Sequence, residues 1–236
     1  MKLVKNEHKN MFEIYTSDIS KFEEIAKYED YNKNIKRFLM ENFCWKDKVV
    51  FEAGIGIGRI TQYYINSSKK VIATDISQSM LDYCKKKFAD YENKIRYVNL
   101  RHIDMKDKTF QKADIFISSY SLSFEIINED KPIQEIYNIL MDGIKKVTKK
   151  GALIIIIENE GIFNELPSFD YRMKDYFTLL NNEFKHMSID TSYLFNSIEE
   201  AVKILNNFFG KEISSKVEKY NNCNIPEKSG IWYKYI

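Results

Sequence analysis

The residues with the clearest chemical potential lie in Glu52-Ala53-Gly54-Ile55-Gly56-Ile57-Gly58, with Asp75 and Asp104 following at a distance. Three glycines on alternate positions, entered from the apolar run KVVF, describe a loop that offers backbone rather than side chains to a ligand. A dinucleotide cradle wants G-x-G-x-x-G, with its third glycine five residues after the first. Here that position is Arg59, and the third glycine falls one residue earlier, at Gly58. Glu52 sharpens the difference. A pyrophosphate resting on bare amides is repelled by a neighbouring carboxylate, at roughly 4 kcal/mol for like charges about 4 Å apart and an effective dielectric near 20. A cation turns the same term into attraction, so the pattern asks for a positively charged ligand without phosphates.

S-adenosylmethionine answers that description, with a sulfonium, an ammonium and a nucleoside. The later acids fall where a nucleoside needs them. Asp75 comes 17 residues after Gly58 at the end of the run KVIATD, where a carboxylate can accept both hydroxyls of a ribose. Its alternative role is a carboxylate at the start of the helix that opens near Ser77. Ile76 can pack on an adenine face. Asp104 in RHIDMKD can accept the exocyclic adenine N–H, with the neighbouring Met105 amide meeting a ring nitrogen. Asp75→Ala is expected to abolish cofactor affinity with little effect on the stability of the ligand-free protein.

The elements that must hold these residues are legible from periodicity. The runs KVVFEAG, KVIATD, IRYVNL, ADIFISS and GALIIIIEN are apolar nearly throughout, as strands buried on both faces should be. Residues 131–148 form a helical stripe of Ile133, Ile136, Tyr137, Leu140, Ile144 and Val147, with Pro132 in the first turn. Strands alternating with helices imply an α/β fold: a Rossmann-like open twisted sheet, mostly parallel, with helices on both faces. Spacing from Ile19 to Phe43 predicts an N-terminal helix. Residues 161–187 have no clean period and read as a cover over the site. SIEEAVKILNNFFG predicts a helix with a Ser197/Glu200 capping box and Gly210 as terminator, and SGIWYKYI a strand returning to the sheet edge. The expected organisation is one domain: a helical cap over 1–46, a cofactor core over 47–160, a substrate-side cover over 161–195, and a closing helix and strand over 196–236.

Composition limits the partners. The 236 residues carry a net charge of +2, with 44% hydrophobic and 30% charged side chains. This gives no electrostatic case for nucleic acid or an anionic membrane surface. Cys44, Cys84 and Cys223 form no CxxC pair or His/Cys cluster, so no metal site is expected and a reducing compartment is. No apolar segment approaches the roughly 20 residues of a membrane span, and MKLVKNEHKN lacks the apolar region of a secretion signal. The cytoplasm is the expected location, and a monomer or homodimer the expected state.

The glycine loop, Asp75, Asp104, ADIFISSYSL and KKGALIIII together resemble the class I S-adenosylmethionine-dependent methyltransferases, in order and spacing, from about Lys48 to Glu158. The resemblance, which in the tail extends to small-molecule members, implies about seven strands with the last antiparallel. It implies that Glu52 to Gly58 hold the methionine moiety, Asp75 the ribose and Asp104 the adenine, and that Ser119 and Tyr120 face cofactor and substrate. S-adenosylhomocysteine would be the product left after transfer to a small-molecule acceptor. A base is needed only when the acceptor must lose a proton; Tyr120, Glu158 and His186 could supply one. Glu158, Tyr15 and Tyr171 are candidates for touching the acceptor. Arg59 could neutralise Glu52 or anchor an anionic group. A nicotinamide-dependent oxidoreductase and a non-catalytic S-adenosylmethionine-binding module remain as alternatives, and a peptide acceptor stays open.

Overall fold

The run Leu153-Ile154-Ile155-Ile156-Ile157 shows why a two-faced sheet forms. Ile154 and Ile156 sit in one apolar core, while Leu153, Ile155 and Ile157 sit in another on the opposite face. Alternate residues of a strand point to opposite faces, so an unbroken apolar run is stable only where both are covered. Burying each such side chain contributes about 1.5–3 kcal/mol.

The computed structural model describes residues 19–163 and 171–236. Two helices, α1 (Ile19–Ala26) and α2 (Asn34–Asn42), lead into β1 (Val49–Ala53), α3 (Thr61–Tyr64), β2 (Lys70–Asp75), α4 (Gln78–Lys87), β3 (Ile95–Asn99), a 3-10 turn (His102–Asp107) and β4 (Ala113–Ser119). Then come α5 (Leu122–Asn128), α6 (Ile133–Val147), β5 (Thr148–Ile162), α7 (Tyr171–Glu183), β6 (Lys185–Asp190), β7 (Tyr193–Leu194), α8 (Ile198–Tyr220), β8 (Asn224–Ile225) and β9 (Glu227–Tyr235). The main sheet has seven strands in the order β3-β2-β1-β4-β5-β9-β6. Six run parallel and β9 runs against them, pairing antiparallel with both β5 and β6. The chain leaves β1 towards β2 and β3, then returns to β4 on the other side. The carboxyl ends of β1 and β4 therefore flank the switch point, where ligands of open α/β sheets bind.

One core lies beneath α5, α6 and α7, the other beneath α2, α3 and α4, and a smaller cluster joins α1, α8 and the β7–β8 pair. Gly143 on α6 lets the 3-10 turn come close: a side-chain carbon there would stand 3.1 Å from the Met105 Cβ. Arg101 ties the same turn to α5, its Nη2 reaching both Glu125 Oε2 and Glu129 Oε1 at 2.6 Å. Glu158 does similar work from β5. Its two oxygens accept the Ser123 amide at 3.0 Å and the Ser123 hydroxyl at 2.8 Å, capping the first turn of α5.

The structure departs from the sequence expectations at three places. The expected helix from Ile19 to Phe43 is two helices, because Asp30 and Lys33 take positive φ between them and Asp30 turns its carboxylate onto the amides of Asn34 and Ile35. The stretch without a clean period holds helix α7, buried through Met173, Tyr176, Phe177 and Leu180, and the edge strand β6. Gly210, expected to terminate a helix, sits at φ 78 as a break inside α8, which resumes to Tyr220.

Two outcomes test this framework. Gly143→Leu should cost about 1–3 kcal/mol of stability in urea unfolding as Met105 is displaced; an unchanged midpoint would mean that the turn is not seated on α6. Burial pushes the Glu158 carboxyl up to about 7. Unfolded chains lose this proton near the ordinary 4.5 while the native state keeps it, so stability falls as pH rises through that window, by about 3 kcal/mol. Glu158→Gln should remove this part of the slope, and parallel pH–stability curves for parent and variant would contradict it.

Candidate cofactor site

The loop after β1 is folded by its own backbone. Gly54, Gly56 and Gly58 take φ of 78, 52 and 70, a left-handed conformation that strains any residue with a side chain. The amides of Gly54 and Ile55 both bond the Thr74 carbonyl at 2.9 Å, and Gly58 closes back on Ile55 at 2.8 Å. From α4, the Cys84 thiol meets the Gly56 carbonyl at 3.0 Å and the Lys87 ammonium meets the Ile57 carbonyl at 2.8 Å. Gly58 must be glycine also for space, since a Cβ would stand 2.3 Å from the Phe88 ring.

Asp75 holds the centre of this arrangement. Its Oδ2 accepts the Gly56 amide at 2.9 Å and its Oδ1 the Ser77 amide at 2.8 Å, with the residue only 1% exposed. The Gly56 N–H that a phosphate cradle would offer is therefore taken by a carboxylate. The helix beyond the loop, α3, has only four residues, too few for the aligned dipoles that make a pyrophosphate site. Ile76, next in the chain, is 40% exposed.

Glu52 lies deeper than its sequence position suggests. It is 2% exposed and turned towards α3, where its Oε2 accepts the Thr61 hydroxyl at 2.6 Å and the Tyr64 hydroxyl. Burial pushes its carboxyl up to about 7, with Asp75 adding to the shift. It acts from beneath the loop, with its full negative charge only above that pH. Arg59 does not neutralise it: both guanidinium nitrogens grip Glu29 of the α1–α2 connection, at 2.6 and 2.9 Å.

The other face of the loop meets residues that sequence reasoning passed over. A Cβ on Gly54 would stand 2.0 Å from the Ser121 hydroxyl and 3.5 Å from His102 Cε1. His102 Nε2 and Ser121 Oγ lie 2.7 Å apart, and His102 Nδ1 is buried without a partner among the described residues. Burial lowers the imidazole pKa to about 4, so the ring is neutral at physiological pH. The only sequence signal was that His102 opens the turn that contains Asp104. Asp104 itself is half-buried two residues on and has no hydrogen bond or ion pair through its carboxylate among the described residues. The Met105 side chain is fully buried in the core beneath α6, which leaves its backbone amide as the part able to meet a ligand.

Ser119, the last residue of β4, and Tyr120 after it are half-buried, and Tyr120 takes φ 52 with its amide on the Ile157 carbonyl at 2.7 Å. Its ring lies under the Arg59 guanidinium, 4.9 Å from the centroid. The structure thus brings Glu52, Ala53, the glycines, Asp75, Ile76, Ser119 and Tyr120 to one end of the sheet. Three other candidates stand apart. Glu158 is 1% exposed with both oxygens spent on Ser123, so it is a helix cap rather than an acceptor contact. His186 stacks on Trp232 at 4.6 Å and pairs with Glu160 at 2.7 Å on β6. Four strand spacings of about 4.8 Å put β6 about 19 Å from β1, too far for a base at the loop. Tyr171 is 74% exposed at the start of α7; Tyr15 lies outside the described residues.

Comparison with known proteins fits this geometry. Residues 50–143 match the family model of a methyltransferase domain. No curated protein sequence matches the chain. Among solved structures, a presumed methyltransferase from Bacillus halodurans superposes with a TM-score of 0.53 at 16% identity, covering 85% of this chain and 97% of its own. The N-methyltransferase NodS from Bradyrhizobium japonicum, in complex with S-adenosyl-L-homocysteine, gives 0.51 at 10% identity, covering 80% of this chain and 78% of its own. The [4+2]-cyclase SpnF gives 0.55 at 10% identity over 85% and 79%. At such identities the superpositions establish the fold, and the domain match spans the glycine loop and its carboxylates. With β9 reversed beside β5 and the acid-tied loop at the switch point, the fold is the Rossmann-like one of those solved structures, and residues 50–143 within it match a methyltransferase domain.

Proposed function

We propose that this enzyme moves the methyl group of S-adenosylmethionine to a nitrogen or oxygen of a small molecule, as a single catalytic domain. The observation that carries the reading is the Asp75–Gly56 bond at 2.9 Å, which fills the loop with a carboxylate where a phosphate ligand would need a free amide.

The residues present fit the cofactor. The Asp75 carboxylate, fixed at the tip of β2 by the Gly56 and Ser77 amides, is an acceptor placed for the ribose hydroxyls. Ile76 offers exposed apolar surface beside it for one adenine face. The Met105 amide, Asp104 and His102 Nδ1, which has no partner among the described residues, supply polar groups for the ring edge. Glu52 and the loop to Gly58 stand beside the methionine portion, and Ser119 and Tyr120 beside the methyl group and its acceptor. When bound, the cofactor supplies a methyl already activated by its sulfonium; the chain has to align the acceptor and keep water out. Such alignment can account for roughly 7–11 kcal/mol of a barrier.

A small acceptor is favoured by the near-neutral charge and by the half-buried Tyr120 and Arg59 beyond the loop, which form no basic stripe. No described helix is long and apolar enough to cross a membrane. The described cysteines Cys44, Cys84 and Cys223 are all free, in keeping with a cytoplasmic enzyme.

Incubation with S-adenosylmethionine and a panel of small amines and alcohols, read by mass, should yield products heavier by one methyl group. Cofactor binding without any methylated product would leave a non-catalytic module. Calorimetry with S-adenosylhomocysteine tests the site itself. Ile76→Ala should weaken binding roughly 5–30-fold, from about 1–2 kcal/mol of lost apolar contact, with stability changed by no more than about 0.5 kcal/mol; equal affinity would remove Ile76 from the site. Asp75→Ala should abolish binding and also cost about 1–3 kcal/mol of stability, because it orphans the Gly56 and Ser77 amides. This revises the sequence expectation of an undisturbed ligand-free protein.

A further inference from the structure

A line of hydroxyls runs from the mouth of this site into the protein. The Tyr120 hydroxyl lies 2.6 Å from Ser229 Oγ, and Ser229 Oγ lies 2.9 Å from Thr191 Oγ1. Thr191 Oγ1 in turn donates to Glu227 Oε2 at 3.2 Å. Glu227 is 1% exposed at the start of β9, and its other oxygen accepts the Tyr193 hydroxyl at 2.9 Å and the Asn159 amide. Ser229 and Thr191 are fully buried, whereas Tyr120 is only half so.

The carboxylate fixes the direction of the chain. An ionised Glu227 only accepts, so the Thr191 proton points at it. Thr191 then takes the Ser229 proton and Ser229 the Tyr120 proton. That order leaves a lone pair on the Tyr120 oxygen facing outward, at the residue that follows β4 and borders the glycine loop through Ser121 and Arg59.

We propose that Tyr120, Ser229, Thr191 and Glu227 form a proton relay that deprotonates the methyl acceptor, so that the acceptor is an N–H or O–H group rather than a centre with no proton to lose. The inference rests on the methyltransferase reading above. As the acceptor's nitrogen or oxygen bonds the methyl carbon, the carbon–sulfur bond breaks and its electron pair stays on the thioether sulfur. The acceptor's proton passes to Tyr120, and each hydroxyl hands its own proton inward. Glu227 ends as the carboxylic acid, which returns the proton to solvent between turnovers. Tyr120 is the catalytic residue, in contact with the acceptor; the other three act through it.

The surroundings suit the roles. Burial and the Glu29 carboxylate push Glu227 well above the ordinary carboxylate range, against the lowering effects of Tyr193, Asn159 and the Arg59 guanidinium. This raises the proton affinity of the carboxylate, as a base requires. Tyr120 is likewise held protonated by burial and by Glu29, with Arg59 opposing, so it passes protons on rather than standing as a phenolate. The active form has Glu227 ionised, and turnover should therefore be lost as pH falls through its titration.

Ser229→Ala cuts the line while leaving both ends in place, and Glu227→Gln removes its terminus. Three quantities are compared with the parent: S-adenosylhomocysteine affinity by calorimetry, the kcat–pH profile with an acceptor from the panel, and the Glu227 carboxyl titration by 13C NMR. The expected result is affinity within about twofold and kcat reduced roughly 10²–10⁴-fold. The rising limb of the parent profile should be lost in both variants and should coincide with the Glu227 titration. Should either buried variant fail to fold, Tyr120→Phe, which keeps the ring under Arg59, reads the same line from its outer end. A variant with parental kcat and limb, or a Glu227 midpoint in the ordinary carboxylate range, overturns the relay while methyl transfer stands. A parent that binds no S-adenosylhomocysteine would instead remove the functional reading, and the relay with it.

Discussion

The bond between the Asp75 carboxylate and the Gly56 amide sets the character of the site. It ties the tip of β2 to the loop that follows β1, and fills with negative charge the place where a phosphate-binding loop keeps bare N–H groups. Two neighbours reinforce it. Glu52 lies beneath the same loop, close enough that Asp75 helps to raise its pKa, and α3 is a single helical turn that brings little positive dipole. A ligand entering here gains by carrying positive charge and lacking phosphate.

The rest of the fold holds that bond in place. β1 and β2 pair in register so that Ala53 stands beside Thr74, and the Thr74 carbonyl receives two loop amides. α4 closes the loop through Cys84 and Lys87. On the far side α6 presses the 3-10 turn inward through Gly143 and Met105, which seats His102 against Ser121 and Gly54. The α1–α2 connection is bound in by the Glu29–Arg59 pair, and Arg59 in turn covers Tyr120. Local glycine geometry and long-range ion pairing thus converge on a few ångströms of backbone.

Much of this was legible in the sequence because it is written locally. Strands buried on both faces betray themselves as apolar runs, and the glycine spacing with Asp75 fixes both loop and strand tip. What escaped is what depends on residues far apart in the chain. Glu158 reads as an acid past a strand, and only the packing of α5 makes it a cap. His186 reads as a base until the sheet order puts it on the far edge. His102 and Ser121 are separated by a whole strand, and Tyr120, Thr191 and Glu227 come from three distant segments. β6 was missed because its side chains are almost all exposed, so no core-facing period marks it.

The most direct measurement of the central claim is a pair of calorimetric titrations of the purified protein, one with S-adenosylhomocysteine and one with NADH. The acid-filled loop should bind the phosphate-free nucleoside at one site per chain and give no saturable heat with the dinucleotide. Saturable NADH binding, or no response to S-adenosylhomocysteine, would contradict it.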